Sequence, residues 1–181
     1  MRTFQIAIIV ASLILTFETF DSLYGKSNEK YINPLMINKA LIKAIRDKDL
    51  KLIDKYLAYK KTDLKLETKK GNTALIESLI TNLNKDYLLK IIKKSDVNHI
   101  NKNSLRPIHF AIMNKNIGQI KTLISRDSFK HDALFNGKNL IEFTTSLKSN
   151  ETIIKNKLML LKIINLFSYE FPSLNPKKLI K

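Results

Sequence analysis

The side chains able to move a proton near neutral pH are three histidines, His99, His109 and His131, and none has the company that catalysis requires. A general base needs a group that orients it and a nucleophile within reach. His99 and His131 stand in polar links, with no Asp or Glu spacing that would build a metal site. His109 lies within the apolar stretch Pro107-Ile108-His109-Phe110-Ala111, with no acidic neighbour to orient it. Ser78, Ser104 and Ser125 lack a Gly-x-Ser-x-Gly context. Cysteine is absent, which excludes a thiol nucleophile, a disulfide framework, a thiolate zinc site and the attachment point of a bacterial lipoprotein. The four glycines, Gly25, Gly71, Gly118 and Gly137, are scattered, so no loop is built to cradle a phosphate. The expectation is a chain that is not an enzyme, with no catalytic residue, no metal and no cofactor. An enzyme with an unrecognised site stays open as an alternative.

Spacing says more than chemistry does. Gly71, Ser104 and Gly137 recur every 33 residues, and each opens a similar stretch, Gly71-Asn72-Thr73-Ala74-Leu75, Ser104-Leu105-Arg106-Pro107-Ile108 and Gly137-Lys138-Asn139-Leu140-Ile141. A unit that short cannot bury its own apolar face and must stack on its neighbours. After the helix-start signal Asn33-Pro34, apolar residues recur at helical spacing from Asn38 to Leu57 on both sides of Asp47-Lys48-Asp49, which predicts a helical hairpin. The pattern returns 67 residues on, pairing Ala44 with Ala111, Ile45 with Ile112, Leu50 with Ile117 and Ile53 with Ile120. A further hairpin is predicted over 73–94, and a fourth over 139–167 around an enlarged polar turn, Lys148-Ser149-Asn150-Glu151. Ala44, Ser78, Ala111 and Thr144 are the small residues that would let stacked helices approach.

These observations give an all-α fold, a solenoid of stacked helical hairpins over 38–168 in units of about 38–70, 71–103, 104–136 and 137–168. A linker or cap over 26–37 precedes it and a tail over 169–181 follows. That tail either caps the last hairpin through Phe171 and Leu174 or frays. Ahead of all this, Arg2 and the apolar run Ile6 to Phe17 form a signal-like segment over 1–25, too short to span a bilayer, which takes about 20 apolar residues. No Ala-x-Ala site follows it; the run is read as a cleaved signal peptide, with a retained short anchor and an apolar helix folded against the first repeat as the alternatives. The chain is expected to act in the periplasm, in the cell envelope or outside the cell, with membrane contact through residues 4–20 if they are retained.

The motifs then carry a resemblance. Arg106-Pro107-Ile108-His109-Phe110-Ala111 keeps the Pro, His and Ala of a Thr-Pro-Leu-His-x-Ala opening, Asp96-Val97-Asn98 matches a link motif, and Gly71-Asn72-Thr73-Ala74-Leu75 keeps Gly, Thr and Leu. Together they resemble the ankyrin-repeat family, in a divergent bacterial-type exported form of about four repeats. Arg106 stands where that family has threonine, Ile76 and Glu142 where it has histidine, and Lys48 and Lys115 at a turn it gives to glycine. The resemblance implies that the His109 imidazole hydrogen-bonds loop backbone. It also implies a concave surface made by link tips and first helices, which here places Lys69, Lys70, Asn72, Lys102, Asn103, Leu105, Asn136 and Lys138 as partner-binding residues.

Charge suggests what would meet that surface. The formal net charge is +16, with 32 basic against 16 acidic residues. Lysine supplies 28 of the 32, and bidentate recognition of bases or phosphate favours arginine, so nucleic acid is an unfavoured partner. A Lys/Asn/Ile bias of this kind also follows from an A+T-rich genome. The expectation is a non-enzymatic protein-protein interaction module, its partner another protein of acidic character, at a host interface in one version of the reading. The alternative is a basic surface that binds anionic polymers or membranes, marked by steep salt dependence.

Overall fold

The computed structural model describes residues 33–132 and 134–174, whose regular elements are helices joined by loops, with no strand among them. The calls on residues 1–25 lie outside the described residues. Eight α-helices follow in order: α1 Pro34–Asp47, α2 Leu50–Ala58, α3 Ala74–Ile80, α4 Lys85–Ile92, α5 Pro107–Met113, α6 Ile117–Ile124, α7 Leu140–Asn150 and α8 Ile154–Glu170. A single 3-10 turn, Pro172–Leu174, closes them.

The helix starts are written in the sequence. The Asn33 side chain accepts from Leu35 N–H at 2.9 Å while Pro34 takes the first helical position, where its missing N–H costs nothing. This start lies ahead of the expected Asn38 boundary, so α1 absorbs part of the segment read as linker. Asp49, Asn84 and Asn116 cap the second helix of each of the first three pairs through their side-chain oxygens. Between paired helices the chain turns through Lys48, Asn82 and Lys115, all at positive φ (55°, 50° and 56°). A non-glycine residue in that region carries a strain of about 1 kcal/mol, which the flanking caps and packing hold in place.

Successive helices pack in pairs, and the odd-numbered helices pack on one another in order, α1 on α3, α3 on α5 and α5 on α7. Among the even ones, α2 meets α4 and α4 meets α6. Ala44, Ser78, Ala111 and Thr144 sit one on each odd helix, all buried. The two hydroxyls in this row are satisfied within their own helices, Ser78 by the Leu75 carbonyl and Thr144 by the Leu140 carbonyl, each at 2.7 Å. Polar groups can therefore stand where a larger side chain would push the helices apart. Around the row lie Ile45, Leu75, Leu79, Ile112, Ile120 and Ile163, essentially without exposure. Each such side chain contributes about 1.5 to 3 kcal/mol of burial.

The last pair departs from expectation. Lys148, Ser149 and Asn150 are helical, so the unit is enlarged by a longer α7 and a 17-residue α8, and the turn is confined to 151–153. The capping box at Asn139 and Glu142 (Glu142 N–H to Asn139 Oδ1 3.0 Å, Asn139 N–H to Glu142 Oε2 2.9 Å) fixes the start of α7. Within the described part of the expected tail, Leu174 is buried and the Phe171 ring stacks on His131 at 4.9 Å between centroids, as its capping alternative has it; 175–181 lie outside the described residues.

Candidate functional site

Each odd helix from α3 onward is entered from a loop, and the three loops carry the residues that spacing had singled out. In the first, Thr68 N–H donates to the Asn72 carbonyl (2.9 Å) and Asn72 N–H to Thr68 Oγ1 (3.2 Å), with Gly71 at φ +75° between them. Thirty-three residues on, Asn101 repeats both roles. Its N–H donates to the Leu105 carbonyl (3.0 Å) and its Oδ1 accepts from Leu105 N–H (3.0 Å), with Ser104 at φ +60°. At the corresponding place in the third loop stands Leu134, which has no side-chain acceptor. That loop closes instead as a two-residue turn, Phe135 and Lys138 exchanging both backbone hydrogen bonds at 2.9 Å around Asn136 and Gly137, both at positive φ.

The first two loops are joined edge to edge. Lys102 N–H donates to the Lys70 carbonyl at 3.2 Å, and a β-carbon on Gly71 would lie 2.7 Å from that same Lys102 nitrogen. Gly71 is thus required twice, by its backbone angle and by the neighbouring loop. His99 adds a second tie, its Nε2 lying 2.8 Å from the Gly71 carbonyl and donating to it. Toward the third loop the link residue Asn98 acts at both ends of its amide, donating to the Ser128 carbonyl (2.6 Å) and accepting from Lys130 N–H (2.9 Å).

Beneath the first two loops runs a polar chain, buried at Glu77, Asn72 and Asn101 and reaching solvent at Arg46. Arg46 on α1 grips Glu77 on α3 with two bonds of 2.9 Å, Asn72 donates to Glu77 Oε1 (2.9 Å), and Asn101 donates to Asn72 Oδ1 (2.8 Å). Burial by itself would raise the Glu77 pKa. The hydrogen bonds from Arg46 and Asn72, with the charges of Arg46 and Lys70, outweigh it and hold the carboxyl below its ordinary range. Glu77 therefore stays ionised as a clamp, with its two oxygens occupied.

Of the eight residues expected to meet a partner, Lys69, Lys70, Lys102, Asn103, Asn136 and Lys138 are exposed at the tips, and Leu105 is half-buried. Asn72 is placed otherwise. It is 4% exposed and committed to the chain just described, so it positions the loops and offers nothing to a partner. Arg46, Glu77 and Asn101 were not legible as site residues. The signal for Asn101 was available, since it stands 33 residues after Thr68 and both types can accept from a backbone N–H. Nothing in the spacing ties Arg46 to Glu77.

His109 sits where the helix-start motif put it. Its Nδ1 accepts from Arg106 N–H at 2.9 Å, and its ring lies among those of Phe135 and Phe143. Burial, then the adjacent Arg106 charge, pushes its pKa down to about 4, so the imidazole is neutral at physiological pH, with Nδ1 engaged and Nε2 buried without a hydrogen-bond partner. An open cavity of about 290 Å³ lined by Met113, Lys115, Leu147, Asn150, Glu151 and Leu160 lies between the third and fourth pairs, spanned by the Lys115–Glu151 ion pair at 3.3 Å. Among the described residues no group of three or more His, Asp or Glu is placed to hold a metal ion.

No protein-family model matches the chain, and a comparison with curated proteins found no match.

Proposed function

We propose that this chain is a solenoid of ankyrin-like helical hairpins that binds another protein without catalysis, through the row of loops entering α3, α5 and α7. The observation that carries the reading is the Lys70–Lys102 backbone bond seated on the Arg46–Glu77–Asn72–Asn101 chain. It holds exposed tips in fixed relative positions, and a surface ordered in advance loses little entropy on binding. The tips present Lys69, Lys70, Lys102 and Lys138, which favours an acidic partner and speeds its encounter by charge. Arg2 and the apolar run Ile6 to Phe17 support export, with the binding surface acting in the envelope or outside the cell.

Photo-crosslinkers at Lys70, Lys102 and Lys138, placed in living cells, test this reading. A single protein captured from all three positions is the expected result. Capture of polyanions without selectivity, abolished by moderate salt, would replace the protein-binding reading with the anionic-polymer one.

A further inference from the structure

Helix α8 is apolar on two opposite sides. At 3.6 residues per turn, Leu160, Ile163 and Phe167 share one side and are buried. Ile154, Leu158, Leu161 and Tyr169 share the other, and they are 75, 55, 40 and 82% exposed. An apolar side of a helix is ordinarily buried against a neighbour, and of the two here α7 covers one. The open stripe runs about 22 Å from Ile154 to Tyr169 at 1.5 Å of rise per residue, continuously apolar through Leu161 and interrupted by exposed Asn165 before Tyr169. Exposed lysines run along its margins, Lys155 and Lys162 on one and Lys157 on the other, and the helix holds no acidic residue before Glu170.

Charge and shape together select the occupant. A second copy laid across the stripe would set lysine margins against lysine margins in a chain of formal charge +16, where like charges oppose association. A partner helix is usually received in a groove between two helices, whereas the stripe is the outward side of one helix backed by α7. A surface that is apolar beneath an anionic layer fits both the ridge and its margins: aliphatic side chains enter, lysine stems extend toward phosphate, and a tyrosine rests at the boundary.

We propose that α8 docks the protein on an anionic lipid bilayer, with Ile154, Leu158, Leu161 and Tyr169 entering the headgroup–acyl boundary and Lys155, Lys157 and Lys162 meeting lipid phosphates. The contact is peripheral, since no helix among the described residues is long and apolar enough to cross a membrane. This surface is separate from the loop row, so either can fail without the other.

Co-sedimentation of the full chain with vesicles tests it, using equimolar phosphatidylcholine and phosphatidylglycerol against phosphatidylcholine alone. The parent should bind the anionic vesicles selectively. The charge-preserving variant I154S/L158S/L161S and the variant K155Q/K157Q/K162Q should each lose at least about tenfold in apparent affinity. All six positions are exposed, and an unchanged melting curve establishes that the variants fold. Anionic vesicles bound equally by parent and both variants would overturn the proposal and move the lipid contact elsewhere, residues 4–20 included. So would a parent that ignores vesicles while forming a dimer that the serine variant dissolves, or while binding an acidic amphipathic peptide through the same stripe.

Discussion

Arg46 and Glu77, 31 residues apart on α1 and α3, meet through two parallel hydrogen bonds of 2.9 Å, with the guanidinium half-exposed and the carboxylate side chain at 5% exposure. The asymmetry decides what each partner contributes. Glu77 has been taken out of water and depends on Arg46 and Asn72 for compensation, whereas Arg46 can return to solvent. Arg46→Ala should therefore destabilise the protein by about 1 to 3 kcal/mol, the usual consequence of leaving a buried acceptor short of donors. Arg46→Lys should recover only part, because an ammonium cannot supply the fork. Chemical denaturation of the two variants measures both numbers, and equal stability of Arg46→Ala and parent would remove the clamp from the account.

The two loop glycines should respond differently to the same change. Gly71 and Gly137 share a positive φ (75° and 72°), but a β-carbon on Gly71 would meet the Lys102 backbone at 2.7 Å, and on Gly137 it would meet nothing within 4 Å. Gly137→Ala should cost about 1 kcal/mol, from backbone strain alone. Gly71→Ala should cost more, because the adjoining loop has to shift, and should also disturb the Lys102 amide resonance. Equal losses in the two variants would mean that the loops are not held edge to edge.

Acid should weaken the fold through His109. Its folded pKa of about 4 lies below the ordinary value of 6.5, so between those limits the unfolded chain binds more protons and stability declines as pH falls. Above the upper limit the contribution is fully present, on the order of 3 kcal/mol. Glu77, whose pKa is also lowered, adds its own loss at the acidic end of the range. His109→Gln should cost stability near neutrality and flatten the slope between pH 6.5 and 4. Urea midpoints across that range check the prediction, and a slope unchanged in the variant would assign the acid sensitivity to other groups.

Overpacking should be felt at the small-residue row. Ala111 is fully buried on α5, which packs against α3, α6 and α7. Ala111→Leu should cost about 1 to 3 kcal/mol. A thermal melt matching the parent would show room for helix movement that the close packing of the row denies.

The sequence disclosed the helices better than the ties between them. Ala44 and Ala111, or Ile53 and Ile120, are legible because burial imposes a period that composition cannot hide, and Asn33-Pro34 and Asp49 announce helix starts by local hydrogen bonding alone. Lys48 and Lys115 betrayed the inter-helix turn through their place in the repeat, despite being poor residues for a left-handed backbone. The loop row was found by the same 33-residue period, but Asn72 was read as a tip residue because an Asn beside Gly and Lys looks like any solvated turn. Its burial depends on Glu77 and Asn101, which are distant in sequence and carry no local signal. The extra length of α7 was mistaken for a turn since Lys148-Ser149-Asn150 is polar, and a polar helix end differs from a loop only in what it packs beside.

The charge of the loop tips is tested most directly by reversing it. K70E/K102E/K138E changes three exposed side chains, none of which makes the backbone bond between Lys70 and Lys102 or a hydrogen bond of the polar chain beneath it, although the Lys70 charge that favours ionised Glu77 is reversed, which the melting curve reads. Titrating the partner captured by crosslinking against parent and variant at physiological salt, with a melting curve for each, should show an unchanged fold and a loss of at least about tenfold in affinity, carried mainly by slower association. Equal affinity in a correctly folded variant would contradict the assignment of the loop row as the binding surface.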